Sequence, residues 1–181
     1  MRGDNIAPGR RGLYAAFMFR SLLAATLLLA TPALAQQQAP SALGTFQDWT
    51  AATYRESGQL VCYAFTRAQQ AGGVAGREAE TVLLLVTHRR GARDQVAVRP
   101  GFAFAAGADG TLVIGESRHA FFTAADTAFG RDSAALVAAM RAGRDAVFRA
   151  PGPAGRGETD DRFSLMGFTA SYNAISRACP P

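Results

Sequence analysis

The chain of 181 residues has only two cysteines, Cys62 and Cys179. A bond between them would tie a segment of its first half to a segment more than a hundred residues later, and every element between would have to fold within that closure. Whether the thiols meet as a bond depends on compartment. Leu22 to Ala30 is an uncharged apolar run with Arg20 just before it. Pro32, the small-x-small pattern Ala33-Leu34-Ala35 and the polar Gln36-Gln37-Gln38 follow. This is the three-part anatomy of a secretory signal, cleaved after residue 35. The run is too short to cross a hydrocarbon core of about 30 Å as a helix. The expected location is therefore the periplasm, the outer membrane or beyond. In cytosol the same two residues would be unpaired buried thiols; the export signal favours the bridge.

Arg10-Arg11 resembles a twin-arginine start, but Arg20 interrupts the apolar stretch that should follow it. A start at Met18 would give Met18-Phe19-Arg20 and then the run, a compact signal. Of 181 residues, 146 remain after residue 35, the length of one domain. Four arginines and one acid leave with the signal, so 15 Arg face 13 Asp and Glu, a net charge of +2. That balance argues against nucleic-acid binding. The predicted organisation is a signal over 1–35, a flexible leader over 36–44 and a single β-rich domain over 45–181.

Leu60 to Thr66 alternates, with Val61, Tyr63 and Phe65 on one side and Cys62 and Ala64 on the other. Gln69 to Arg77 lacks periodicity and reads as a loop. Thr81 to Thr87 is a continuous apolar run, as in a strand buried on both faces. Gln95 to Val98 and Gly101 to Phe104 flank a Pro100-Gly101 turn. Asp109-Gly110 is a hairpin signal into Thr111 to Ile114, and a turn at Glu116 to Arg118 leads into Ala120 to Phe122. Asp145 to Ala150 and Arg162 to Met166 are further strand candidates, joined by a Pro/Gly loop. Asp132 caps a helix over Ser133 to Ala142, with Leu136, Val137 and Met140 as its apolar stripe and Gly143 past its end. Thr169 caps a second helix. Its stripe of Phe168, Tyr172, Ile175 and Cys179 keeps one face toward the core, so Cys179 points inward as Cys62 does. The fold class is mainly β: an antiparallel β-sandwich or barrel-like domain with two short helices, the C-terminal one tethered by the disulfide.

No catalytic or metal pattern emerges. The histidines are His88 and His119. Ser164 sits within a strand pattern and lacks the strand-to-helix elbow of a nucleophilic serine; Ser164 with His119 is the one nucleophile–base pair the sequence leaves open. Cys62, Cys179, His88 and His119 lack the paired spacings of a zinc site. Asp160-Asp161 and Glu78/Glu80 match no calcium loop. The Gly155 to Asp160 segment precedes a strand, so it is a turn rather than a phosphate loop, with Arg156 placed to pair Asp160 or Asp161. No cofactor is expected. Trp49, Tyr54 and Arg156 are the candidate binding residues, since exposed aromatics and arginine supply contacts to a partner.

Several segments resemble a known family in order along the chain. Thr45-Phe46-Gln47-Asp48-Trp49 is similar to its F-G-D-W entry, and Val61-Cys62-Tyr63 matches its C-Y pair. Leu84-Leu85-Val86-Thr87-His88-Arg89 resembles its L-V-T-H-R strand end. Asp126-Thr127-Ala128-Phe129 resembles its D-T-A-W segment, with phenylalanine for tryptophan. Leu136 to Gly143 resembles its L-V-x-A-M-K-x-G helix, and Arg156-Gly157 with Asp161 to Ala170 resembles its ending. The family is the invasion-associated locus B family. The resemblance implies an exported bacterial envelope protein with a β-rich fold and no established catalytic residues. The expected function is non-enzymatic, by binding to an envelope or host protein partner. It would not be an integral membrane protein once the signal is cleaved. The alternative is a periplasmic small-ligand-binding or hydrolytic domain with a pocket near His88 or His119.

Overall fold

The computed structural model describes residues 39–181. The export signal and the first residues of the leader lie outside the described residues. The described chain runs β1 (Ser41–Phe46), β2 (Trp49–Glu56), β3 (Gln59–Arg67), β4 (Gln70–Gly72), β5 (Leu83–Arg89), β6 (Ala92–Arg99), β7 (Asp109–Ile114), β8 (Ser117–Ala124), β9 (Thr127–Gly130), α1 (Ser133–Ala142), β10 (Asp145–Pro151), β11 (Glu158–Ser164) and α2 (Phe168–Ala178). Short 3-10 turns lie at Ala79–Thr81 and Pro153–Gly155.

All eleven strands form one sheet, in the order β1-β2-β3-β5-β6-β9-β8-β7-β10-β11-β4. Every pairing is antiparallel. Strand β4 follows β3 after two residues, yet it pairs with β11 at the far end of the order. Between them the Gln69 N–H donates to the Arg162 carbonyl at 2.8 Å. The sheet therefore curls until its last long strand meets the continuation of its third, which makes the barrel-like member of the expected pair of architectures. Rolling up a sheet of this width is the ordinary way to remove unpaired edges.

The inside is filled. Trp49, Phe121, Phe148, Phe163 and Phe168 are fully buried, with Leu84, Leu112, Leu136, Met140 and Ile175 between them. Helix α2 packs on β1, β2 and β3, and α1 on β6 and β8, so both helices bury their apolar stripes on the inner side. Asp132 caps α1 by accepting from the Ala135 N–H at 3.0 Å, as expected. The bridge is formed: Cys62 of β3 and Cys179, just past α2, are disulfide-bonded with Cα atoms 6.0 Å apart.

One ion pair lies at the seam where the sheet closes. Arg77, in the β4–β5 connection, grips Asp161 of β11 with both ends of its fork, at 2.6 and 2.7 Å. The same guanidinium donates to the Gly72 carbonyl of β4 at 3.3 Å and to the Pro100 carbonyl after β6 at 2.9 Å, and sits over the Phe102 ring. The two side chains are 8% and 0% exposed. Burial pushes the Asp161 carboxyl above its ordinary value; the hydrogen bonds and charge of Arg77 oppose this.

The structure departs from expectation at definite places. Residues 41–44 of the leader belong to β1, because Phe46 and Trp49 pair across a tight turn at Gln47-Asp48 and extend the sheet. Gly101 to Phe104 is not a strand; Phe102 and Phe104 pack on each other there. Asp109-Gly110 is not a turn but the start of β7, where Gly110 lies against the Phe148 ring, and a Cβ would come within 2.6 Å of it. Strand β11 begins at Glu158 rather than Arg162. Gly167, not Thr169, precedes α2, at φ 93° with the Phe46 carbonyl where a Cβ would stand. Arg156 pairs with neither aspartate: Asp161 is held by Arg77, and Asp160 by Arg149 and Arg162.

Breaking one side of a buried pair strands the other charge. Asp161→Asn is therefore expected to lower the unfolding free energy in urea by about 3–5 kcal/mol, and Arg77→Met with Asp161→Leu to recover most of it. A loss below about 1 kcal/mol for the single variant would show that the pair does not hold the seam.

Candidate functional site

With both helices on the inner side, the outer face of β2, β3, β5, β6, β9 and β8 carries no covering layer among the described residues. The register sets what stands on it. Phe65 of β3 faces Leu85 of β5, Leu85 faces Ala97 of β6, Ala97 faces Phe129 of β9, and Phe129 faces Phe122 of β8. Side chains directly opposite share a face. The result is one apolar row crossing five strands, about 19 Å long at about 4.8 Å per strand step. Phe122 is 41% exposed, Ala97 is buried as the floor, and the others are half-buried. The Phe122 and Phe129 rings stack at 5.5 Å, as do Tyr63 and Phe65 at 6.0 Å. Arg67 lies over the Phe65 ring and Arg131 over the Phe122 ring, each at 5.5 Å.

Two open depressions of about 500 and 530 Å³ lie side by side along this row and share Leu85, Thr87, Arg89 and Arg99. Arg89 closes one side. It donates to Glu56 at 3.1 Å, to Gln95 at 3.0 Å and to the Tyr54 hydroxyl at 3.2 Å. The Arg89 hydrogen bond and charge hold the Glu56 carboxyl below its ordinary value. On the other side Arg99 pairs Asp126 at 2.8 Å, which lowers that carboxyl in the same way. A separate cavity of about 770 Å³ lies beyond Arg89, between the β2–β3 and β5–β6 hairpin tips and Cys179 to Pro181.

Of the three residues singled out by sequence, this face holds one. Tyr54 lines the first depression. Trp49 is fully buried; its indole N–H donates to the Ser164 carbonyl at 2.9 Å and its ring packs on Phe168. It is thus a core residue and offers a partner no surface. Arg156 is exposed in the turn before β11 and lines neither depression. The family model for the invasion associated locus B (IalB) protein matches residues 49–176, from β2 into α2.

The chain belongs to the invasion associated locus B family. No curated protein and no solved structure matches it. Within the family's matched span lie all the residues of the row, which sequence reasoning missed. Two signals pointed to them. The Phe121-Phe122 doublet must expose one ring, because neighbours in a strand face opposite ways. Likewise Leu83 and Leu85 alternate with Leu84 and Val86, so a sheet covered on one side leaves two leucines outside. The expectation of burial on both faces of β5 is corrected accordingly: Leu83 and Leu85 are half-exposed and line the first depression.

The histidines of this invasion associated locus B family chain line neither depression. His88 is fully buried, with its Nδ1 accepting from the Asp94 N–H at 3.2 Å. Its Nε2 then carries the proton and donates to the Ser176 hydroxyl at 3.1 Å. His119 meets Ser117 at 3.1 Å, but the serine gives its own proton to the Ile114 carbonyl at 2.8 Å, so the imidazole is again the donor. A general base must accept from its nucleophile; both contacts run the other way. Ser164 spends its hydroxyl oxygen on the Met166 N–H. Among the described residues no cluster of histidine, cysteine and acidic side chains is arranged to hold a metal, and no helix is long and apolar enough to cross a membrane.

Burial, and then the Arg93 charge, lower the His88 pKa; Asp94 opposes them. The unfolded chain takes up this proton near pH 6.5 and the folded chain only at lower pH. The stabilisation from neutral His88 is therefore complete above about pH 6.5 and is lost as pH falls toward the folded value. Urea unfolding at pH 7.5 and 5.5 is expected to show a larger acid loss for the wild type than for His88→Gln. Equal losses would remove His88 from the acid sensitivity of the fold.

Proposed function

We propose that this chain is an exported envelope protein that acts by binding, without catalysis, in the periplasm or at the outer membrane, and that the outer sheet face is its contact surface. Host interaction is one use of such a surface. The observation that carries this reading is the uncovered row from Phe65 to Phe122. An apolar aromatic row rimmed by arginines has the composition of a recognition surface, and large exposed apolar patches on soluble proteins mark interaction sites. Family membership and the disulfide support the extracytoplasmic setting. The donor polarity of His88 and His119 supports the absence of catalysis and weighs against a hydrolytic pocket at either histidine.

Leu85→Glu tests the face, because it puts a charge at the middle of the row on a half-exposed position. In-cell crosslinking of the exported protein is expected to give adducts that fall at least tenfold in Leu85→Glu, with the disulfide and melting temperature unchanged. Unchanged adducts in this variant would overturn the assignment of the face. Protease treatment of intact cells, against cells with a permeabilised outer membrane, separates the compartments: digestion on intact cells indicates the surface, and protection until permeabilisation the periplasm.

A further inference from the structure

We propose that the cavity of about 770 Å³ between the two hairpin tips and Cys179 to Pro181 binds a small organic anion, a carboxylate or phosphate group on an apolar body. The site goes beyond the contact surface proposed above and stands apart from it: of the residues lining the two depressions, only Arg89 also lines this cavity.

The fold brings the walls together from three places. Strand β3 pairs with β5, and the register of Cys62 with His88 runs on toward Leu60 and Arg90, so the β2–β3 and β5–β6 tips lie side by side. Cys179 is bonded to Cys62, which sets the chain after α2 against both tips. Arg93 of β6 holds that segment a second time by donating to the Cys179 carbonyl. The walls are thus in place before a ligand arrives, which lowers the cost of binding. The volume lies within the range of about 300–1,000 Å³ common for small-molecule sites.

Charge selects the sign of the ligand. Arg89, Arg90 and Arg93 line the cavity, and no aspartate or glutamate side chain among the described residues does. Arg89 is already engaged: Glu56 neutralises it, and its other nitrogens donate to Gln95 and Tyr54. Arg90 and Arg93 have no ion-pair partner among the described residues, the Pro181 carboxylate at the wall included. Asp94 follows Arg93 in the chain but does not line the cavity, and accepts from the Tyr172 hydroxyl at 2.6 Å. Two unneutralised guanidinium groups in a concave site concentrate their field there. Each offers a fork of donors that fits a carboxylate or a phosphate.

The lining sets the rest of the ligand. Leu60 is 38% exposed, and Pro180 and Pro181 are exposed, all at the cavity wall. A bare hydrated ion would leave these groups in water. An apolar body carrying the anion covers them, at about 25 cal/mol per Å². A polyanion such as nucleic acid finds no matching surface, because the net charge after residue 35 is only +2.

The test is calorimetric titration of the exported, oxidised chain with benzoate, phenyl phosphate, acetate and inorganic phosphate, with benzyl alcohol and benzylamine as neutral and cationic counterparts. Benzoate or phenyl phosphate is expected to bind at least about tenfold tighter than acetate, inorganic phosphate and both counterparts, and to lose at least about threefold in affinity between about 50 and 500 mM salt. The tighter of the two fixes the head group. Arg90→Gln, which breaks no ion pair, should weaken binding at least about tenfold, while Arg118→Gln on β8 leaves it unchanged. Leu60→Ser should bring benzoate down toward acetate. No binding by any of the four anions, benzyl alcohol bound as tightly as benzoate, or affinity indifferent to Arg90→Gln would each overturn the proposal. Leu85→Glu should leave these titrations unchanged, so failure of the outer face and failure of this site are read separately.

Discussion

The grip of Arg77 on Asp161 decides what is inside and what is outside this molecule. β4 and β11 have no local reason to pair: β4 ends at Gly72 and β11 begins only at Glu158, with β5 to β10 and α1 between them. A guanidinium reaching a carboxylate on β11, a carbonyl on β4 and a carbonyl after β6 joins three segments at one point. Its geometry is planar and bidentate, which lysine could not reproduce. The arrangement is demanding, because the Arg77 Nε is buried without a hydrogen-bond partner. A charge held so far from water is tolerated only when its neighbours stay in place. Closure at the seam gives the helices an interior to occupy, and their occupation of it leaves the opposite face of β2 to β9 bare.

That bare face follows from packing arithmetic as much as from any feature of the face itself. A rolled sheet has one concave side, and two short helices can cover one side only. The remaining side of each strand is expected to be polar. Here it is not, along one row. Phe65, Leu85, Phe129 and Phe122 hold an apolar line where the fold gains little from it, and the arginines beside them are neutralised by carboxylates rather than left to repel. A surface that departs from the rule of its own fold is where function is to be sought.

Much of the architecture was legible from sequence. The α1 cap, its stripe and its terminal glycine are all local signals, and the structure reproduces them. The bond between Cys62 and Cys179 was legible because the alternation of β3 and the periodicity of α2 fix two directions independently. What failed depended on distant parts of the chain. Asp109-Gly110 carries a turn signature, yet Gly110 serves a close approach to Phe148, a residue of another strand. Trp49 looked like a contact residue because nothing local shows that Phe168 will lie against it. The row was invisible as a row, since its members are 12 to 32 residues apart in neighbouring pairs or lie on a hairpin whose register no local motif sets. Each strand showed an excess apolar residue; only the pairing lines them up.

The disulfide also carries a schedule. Between Cys62 and Cys179 lie β4 to β11 and both helices, so the first thiol is synthesised long before its partner. For that interval Cys62 is a lone thiol on a half-built sheet. Pairing with β2 and β5 flanks it on either side, but its inner face is covered by α2, the C-terminal helix. The bond therefore fastens one of the first described elements made to the last, and in a sequence with two cysteines no internal mispairing competes with it.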